Sequence, residues 1–197
     1  MVSGNSMSHI YLRKDNDWGK NYTYKDSEGL VDKLLSYEGI DIAMARNEKG
    51  QIVIKSKRGT ALLEDKETGV MYTPLLNDPF GYNGIKDYLT YDEVLDLTFD
   101  TLYPDSLTQI VQIFKSARCG DIVISAQTGY DLRRDFEIPE HKSSHGSLKS
   151  DHMHVPLIMN KKVSISRIRT VDLFPTILDF LSLPCSTKID GKKLDIY

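Results

Sequence analysis

The sequence predicts an α/β fold in which helices cover a layered sheet, with a small inserted α+β subdomain. Apolar residues recur at helical spacing over 27–38 and then alternate around a turn, which is typical of a helix followed by a β-hairpin. A second helical pattern over 104–120 precedes a nearly continuous apolar run at 121–126. Such a run is typical of a strand buried on both faces of a parallel sheet. Alternation of helices with buried strands indicates a layered α/β architecture.

The elements of the first half are predicted from local signals. Gly39 ends the first helix, and an Asn-Glu-Lys-Gly turn at 47–50 joins two alternating apolar segments. The strands predicted in this half are at 9–12, 40–45, 51–55 and 60–64.

The second half has a different pattern. Pro104 opens a helix that Gly120 ends, and its apolar face consists of Leu107, Ile110, Val111, Phe114 and Ala117. A second continuous apolar run at 155–159 indicates another core strand. A last helix is predicted over about 172–182, with Pro175 in its first turn, where the missing N–H costs little.

Three regions are therefore expected: an N-terminal strand and loop of the core at 1–26, a small α+β cap-like subdomain at 27–90, and the C-terminal part of the α/β core at 91–197. The 25 basic residues nearly balance the 28 acidic ones, which argues against a nucleic-acid partner. No run of about 20 apolar residues and no signal peptide is present, so no membrane partner is expected. The localisation stays open, with cytoplasmic as the default. Two cysteines do not make a disulfide framework.

Histidines carry the main signal of function. Four of the five lie within fourteen residues between two predicted core strands: His141, His145, His152 and His154. Imidazole and carboxylate groups suit zinc and similar metals, and Gly146 would let the backbone pass close to an ion. A solvated loop is the competing interpretation. Asp151 and His152 are equally compatible with a metal pair, an orienting contact or a turn.

Other polar residues give weaker signals. Asp121 precedes a buried strand, where a capping or turn role is favoured over a metal ligand. Cys119 is favoured as a small core residue over a thiolate nucleophile. A basic cluster could bind phosphate, although a solvated hairpin face is favoured; it comprises Lys55, Lys57 and Arg58. No nucleophile elbow surrounds the serines near the histidines, which are Ser143, Ser144 and Ser147.

Several blocks of the second half resemble one known family. The order His-Gly-Ser at 145–147 and His-Val-Pro-Leu-Ile at 154–158 is similar to the C-terminal stretch of the alkaline phosphatase superfamily. That superfamily includes phosphatases, type I phosphodiesterases/nucleotide pyrophosphatases, sulfatases and cofactor-independent phosphoglycerate mutases. The Val-Asp-x-x-Pro-Thr-x-Leu block at 171–178 and the Asp-Gly-x-x-Leu block at 190–194 agree with its closing motifs. Residues 100–140 also resemble one bacterial branch of uncertain substrate.

The resemblance implies a dinuclear metal hydrolase acting on a phosphate or sulfate ester. Such enzymes hold two metal ions, usually zinc, about 4 Å apart, and one ion activates a Ser or Thr nucleophile. The His of the His-Gly-Ser block is typically a metal ligand, which implies that role for His145. The resemblance assigns no role to His141, His152 or His154; they are expected to be neighbouring groups, with His154 packing at the start of its strand.

The family's nucleophile, first Asp ligand, Asp-x-x-x-His and Asp-His-Gly motifs are not found in this sequence. Asp151 and His152 follow His145 and lack the Gly. The chain is therefore expected to be a C-terminal fragment or a subunit of the hydrolase, inactive alone, because a catalytic zinc needs about three protein ligands.

Two other interpretations stay open. The chain could be a non-catalytic binding or interaction module derived from the same fold, in which an open sheet edge allows dimers or other oligomers. It could also hold a new metal site made from the histidine loop alone. Phosphatase, phosphodiesterase and sulfatase specificity are not distinguished by the residues present.

Overall fold

The computed structural model describes residues 2–3, 5–85, 87–133, 143–162, 167–186 and 188–196. The chain divides into two compact units, Met1–His154 and Val155–Tyr197. The strands are β1 (Val2–Ser3), β2 (Met7–Ile10), β3 (Ile40–Arg46), β4 (Ile52–Ser56), β5 (Thr60–Lys66), β6 (Gly69–Leu76), β7 (Asp87–Thr90) and β8 (Ile122–Ala126). The helices are α1 (Tyr24–Ser36), α2 (Tyr91–Thr98), α3 (Ser106–Lys115), α4 (Ser150–Met153) and α5 (Leu173–Phe180).

All the described strands of the first unit form one antiparallel sheet. Their order is β1-β2-β8-β3-β4-β5-β6-β7. The expectation that β8 belongs to a parallel sheet is wrong, because β8 runs antiparallel to both β2 and β3. Its five residues are nevertheless all buried. Burial on both faces, rather than parallel neighbours, therefore explains the continuous apolar pattern of this strand.

Helices cover both faces of the sheet. On one face, Val31 and Leu35 of α1 pack with Ala43, Ala45, Ile122 and Ile124. On the other face, α2 and α3 contribute Val94, Leu107, Ile110, Val111 and Phe114 to a larger core that includes Ile42 and Met44. The prediction of a mixed α/β fold is confirmed. The hairpin and third strand predicted between 40 and 64 are also confirmed, as β3, β4 and β5, and these strands lie in the same sheet as β2 and β8.

The start of α1 shows what the helical pattern alone missed. The helix begins at Tyr24, three residues before the predicted start. Thr23 and Asp26 form a capping box, in which the Thr23 side chain accepts from the Asp26 N–H and the Asp26 side chain accepts from the Thr23 N–H. Two backbone donors that a helix start leaves unpaired are thereby satisfied, which stabilises the extra turn.

The second unit contains a 3-10 turn at Thr170–Asp172 and then α5. The buried Asp172 carboxylate accepts from the Arg169 and Lys192 N–H groups. A Cβ at Gly191 would lie 2.1 Å from the Val171 carbonyl oxygen, so only glycine allows this approach. The blocks at 171–178 and 190–194 therefore contact one another, and Asp172 and Gly191 serve the packing of this unit.

The strand predicted at 155–159 is wrong. These residues have no regular structure, and the side chains of Val155 and Ile158 are 61% and 91% exposed. Two large apolar residues of the last predicted helix, Phe174 and Leu181, are exposed as well. Apolar character alone predicted burial here, but the described neighbours do not provide it.

Candidate functional site

A β-bulge places a carboxylate at the carboxyl end of β8. Ile40 pairs with Ala126 and Ile42 pairs with Ser125, so Asp41 is an additional residue in β3. A bulge of this kind redirects a side chain out of the strict alternation of a strand. The side chain of Asp41 reaches groups on the face covered by α2 and α3, and the residue is only 2% exposed.

The Asp41 carboxylate is surrounded by hydrogen-bond donors. Oδ1 accepts from Arg58 Nη1 at 2.9 Å and from Gln127 Nε2 at 2.9 Å. Oδ2 accepts from the Tyr103 hydroxyl at 2.6 Å and lies 3.8 Å from Lys149 Nζ. Donors from four segments of the chain thus meet at one carboxyl group. We call these five residues the Asp41 cluster.

The two cations of the Asp41 cluster are themselves held in place. Arg58 Nε donates to the Pro79 carbonyl at 2.7 Å, and its guanidinium lies over the Tyr103 ring. Lys149 Nζ donates to Gln127 Oε1 at 2.5 Å. The Lys149 side chain is 8% exposed and that of Arg58 is 37% exposed. One carboxylate and two cations leave the cluster with one surplus positive charge.

Tyr103 acts in the cluster as a neutral donor. Burial, followed by the hydrogen bond and negative charge of Asp41, raises the pKa of the Tyr103 phenol well above its ordinary value. The phenol therefore keeps its proton at physiological pH and donates it to Asp41. The cluster does not gain a second negative charge from this residue.

His145 lies at the same end of β8. The Ser6 N–H donates to the His145 carbonyl at 2.9 Å, and the Ser6 carbonyl accepts from the Ala126 N–H at 2.8 Å. The Ser6 and Ser144 hydroxyl oxygens are 2.7 Å apart. Gly146 has φ of 96°, a left-handed conformation that suits glycine. The backbone of His145 is thus tied to the sheet, while the residue is exposed.

The segment that follows His145 is anchored in the core. The buried Leu148 N–H donates to Ser125 Oγ at 3.1 Å, and the Leu148 carbonyl accepts from Ser106 Oγ at 3.2 Å. Lys149, the next residue, enters the Asp41 cluster. A short, fixed stretch of backbone therefore connects the exposed imidazole with the buried ionic group.

The remaining described histidines of this region have structural contacts. His152 Nδ1 accepts from the Ser147 N–H at 3.2 Å, which closes the loop before α4. The His154 ring stacks on Phe99, with centroids 4.6 Å apart. His154 follows α4 and is exposed, so this ring contact replaces the packing that was expected at the start of a strand. His141 lies outside the described residues.

Two residues given structural roles from the sequence have contacts that agree with those roles. The Asp121 carboxylate accepts from the Leu12 N–H at 2.7 Å and the Tyr22 N–H at 2.8 Å, which fixes two loops. Burial raises the pKa of the Cys119 thiol to about 11, so it stays protonated at neutral pH.

The basic cluster predicted on the hairpin separates into different environments. Lys55 pairs with Asp32 at 2.5 Å on the surface, and Lys57 is exposed. Arg58 instead pairs with the buried Asp41. Arg58 is exposed, as a solvated face requires, but its guanidinium also has a buried partner that the pattern did not indicate.

Sequence reasoning did not identify four members of the Asp41 cluster: Asp41, Tyr103, Gln127 and Lys149. They lie in separate segments, and only folding brings them together. One feature of the sequence could have indicated the cluster: Asp41 is a charged residue inside a predicted apolar strand. A buried carboxylate is almost always paired, so a partner for Asp41 was to be expected.

Within the ranges that the structure describes, no three His, Cys, Asp or Glu side chains are grouped to hold a metal ion. The described residues therefore do not make a complete zinc site, for which about three protein ligands are needed. His145 stands there as a single candidate ligand. No helix of the described part is long and apolar enough to cross a membrane.

No protein-family model, curated protein or solved structure matches this chain. The similarity of its second half to the alkaline phosphatase superfamily stays a prediction based on the motif residues.

Proposed function

We propose that this chain is part of a metal-dependent phosphoric or sulfuric ester hydrolase, to which it contributes His145 as one metal ligand. The observation that carries the proposal is the position of His145: an exposed imidazole on a backbone tied to β8, at the same end of the strand as a cluster with surplus positive charge. Phosphoryl and sulfuryl groups are anionic, and both metal and fixed cations stabilise them. The alkaline-phosphatase-like layering of the sheet is part of the same proposal.

His145 is favoured over the other described histidines because of how their rings are used. A metal ligand must offer an unshared nitrogen lone pair. His9 and His152 each use Nδ1 to accept a backbone N–H, from Gly120 and Ser147 respectively. The stacking of His154 on Phe99 does not use its ring nitrogens, but it restricts the orientation of the ring.

The remaining ligands and the nucleophile are proposed to come from other polypeptide sequence, because the described residues form no group of three ligands. We therefore expect the pure chain to release no nitrophenol from p-nitrophenyl phosphate, with or without added zinc. Metal-dependent turnover by the pure chain would contradict this part of the proposal.

The ligand role is tested by titrating Co²⁺ into the chain labelled with ¹⁵N at histidine. We expect the His145 ring signals to broaden first, and the His145→Ala variant to lose this first response. His154→Ala is the matched control, because it removes a neighbouring imidazole and should leave the response of His145 unchanged. Earlier broadening of His9 or His152, or no response of His145, would overturn the assignment.

The hydrolase role is tested on the native protein that contains this chain, purified together with any partner polypeptide it retains. This native protein should hydrolyse p-nitrophenyl phosphate or sulfate when zinc is present. His145→Ala should abolish this activity, whereas His154→Ala should retain it. Absence of turnover, or full activity of the His145→Ala variant, would refute the proposal.

One observation favours the alternative, an interaction module derived from the same fold. Among its described residues, the second unit exposes eight large apolar side chains: Val155, Leu157, Ile158, Phe174, Ile177, Phe180, Leu181 and Leu183. Exposed apolar side chains that form one continuous patch often mark a contact surface. Oligomerisation through a sheet edge, which the sequence led us to expect, has less support. The edge strands β1 and β7 have only two and four residues, which limits their pairing with another chain. Sedimentation equilibrium of the pure chain distinguishes a monomer from an oligomer.

A further inference from the structure

We propose that Arg58 and Lys149 form a binding site for the phosphate or sulfate group of an anionic ligand, at the solvent side of the Asp41 cluster. The proposal deepens the function proposed above and rests on it only for the identity of the ester that carries the anion. The site itself involves no metal.

The charges of the Asp41 cluster do not balance. Among the described residues, Asp41 is the one carboxylate in contact with both cations, at 2.9 Å from Arg58 and 3.8 Å from Lys149. A cation removed from water needs a compensating negative charge, and the Lys149 side chain is only 8% exposed. One carboxylate compensates one of the two cations. An anion bound beside Asp41 would compensate the other.

Both cations of the Asp41 cluster have hydrogen-bond donors to offer to an anion. The described residues occupy Nε and Nη1 of Arg58, which leaves the Nη2 donors of a side chain that is 37% exposed. Lys149 has three N–H donors, and its close hydrogen bond is to Gln127. Both cations contact the same carboxyl group, so Arg58 Nη1 and Lys149 Nζ lie at most roughly 9 Å apart. A tetrahedral oxyanion can bridge two donors up to about 8 Å apart, which covers most of this range.

The cationic groups of Arg58 and Lys149 are fixed before a ligand binds. The Pro79 carbonyl and the Tyr103 ring hold the guanidinium, and Gln127 holds the ammonium group. Preorganised charges bind an anion without the entropy cost of ordering long side chains. Ion pairs on open surfaces do not have this property.

The test uses the full chain after treatment with EDTA, titrated by calorimetry with inorganic phosphate and with inorganic sulfate. We expect saturable binding of at least one of them. Arg58→Gln and Lys149→Gln should each weaken it at least about tenfold, because each removes a charge-assisted hydrogen bond. Lys57→Gln is the matched control and should leave the affinity unchanged, because Lys57 is exposed beside the site. The tighter-binding anion indicates which class of ester is the ligand.

A second measurement needs no substitution. In the unaltered chain, the Arg58 Nε–H and Gln127 side-chain amide resonances should shift as phosphate or sulfate is added, and chloride at equal ionic strength should not shift them. Unmoved resonances would overturn the proposal even if Arg58→Gln failed to fold. Wild-type affinity in a folded Arg58→Gln variant would also overturn it.

The test of the anion site can be distinguished from the test of His145 as a metal ligand. His145→Ala should keep the anion affinity, because its imidazole has no part in the site. Retained phosphate binding with no response of His145 to Co²⁺ would support the anion site and reject the metal ligand. Loss of anion binding in His145→Ala would reject the site as placed here.

Discussion

The substitution Asp41→Asn removes the negative charge at the centre of the Asp41 cluster and keeps the size of the side chain. Every partner of this carboxylate is a donor: Arg58, Gln127, Tyr103 and Lys149. An asparagine amide brings two N–H donors into this set and leaves both cations without a counter-charge. We therefore expect a large loss of stability.

The size of the loss follows from the exposure of the two cations. Removing one partner of a buried ion pair costs about 3–5 kcal/mol. Because Arg58 is 37% exposed, water compensates part of its charge, and we expect about 3 kcal/mol, the lower end. For a unit of this size, that loss lowers Tm by about 6–12 °C.

The assay is urea and thermal unfolding followed by circular dichroism. Asp32→Asn is the control, since it removes a carboxylate from an exposed pair with Lys55 and should cost under about 1 kcal/mol. A loss for Asp41→Asn no larger than that of the control would refute the reasoning. The double variant Asp41→Asn/Lys149→Gln should lose about 1 kcal/mol less stability than the sum of the losses of the two single variants. The reason is that it also removes Lys149, a cation that Asp41→Asn leaves without a counter-charge.

Three further predictions concern other parts of the first unit. Gly59→Ala should destabilise the chain by about 2 kcal/mol or more in urea unfolding, because the new Cβ would lie 2.5 Å from a carbonyl oxygen of β6. Gly29→Ala is the control. It lies in α1 with open space around it and should stabilise the chain by up to about 1 kcal/mol. Burial lowers the pKa of His9 below its ordinary value of 6.5. The contribution of His9 to the free energy of unfolding should therefore be constant above pH 6.5 and decrease as the pH falls below it. In urea unfolding at several pH values, His9→Asn should show a smaller decrease. Iodoacetamide at pH 8 should modify the exposed Cys185 faster than Cys119, as measured by mass spectrometry, because few Cys119 thiols ionise there; equal rates would contradict this.

Residues that interact locally were predictable. The apolar spacing of α3 identified Leu107, Ile110, Val111 and Phe114, and all four are buried. Ala117, the fifth residue of that predicted face, lies beyond the end of α3 and is exposed. The alternation around the turn at 47–50 identified the hairpin of β3 and β4. These patterns depend on the period of a helix or a strand, which neighbouring residues set by themselves.

The candidate site was predictable only in part. His145 could be selected from its loop and motif, but its position beside the Asp41 cluster could not. Gln127 is 86 residues from Asp41 in the chain, and Tyr103 is 62 residues from it. Hydrogen bonds over such separations depend on which strands pair, and periodicity within one segment carries no information on pairing.

The sequence by itself determined the class of the fold, the main helices and strands of the first unit, and the loop that carries His145. Only the tertiary structure decided that β8 lies antiparallel between β2 and β3, and that a bulge in β3 turns Asp41 toward Arg58 and Lys149. The physical reason is the separation along the chain of the residues that interact. The spacing of neighbouring residues determines each helix and strand, whereas strand register and ionic contacts form between distant segments that folding brings together.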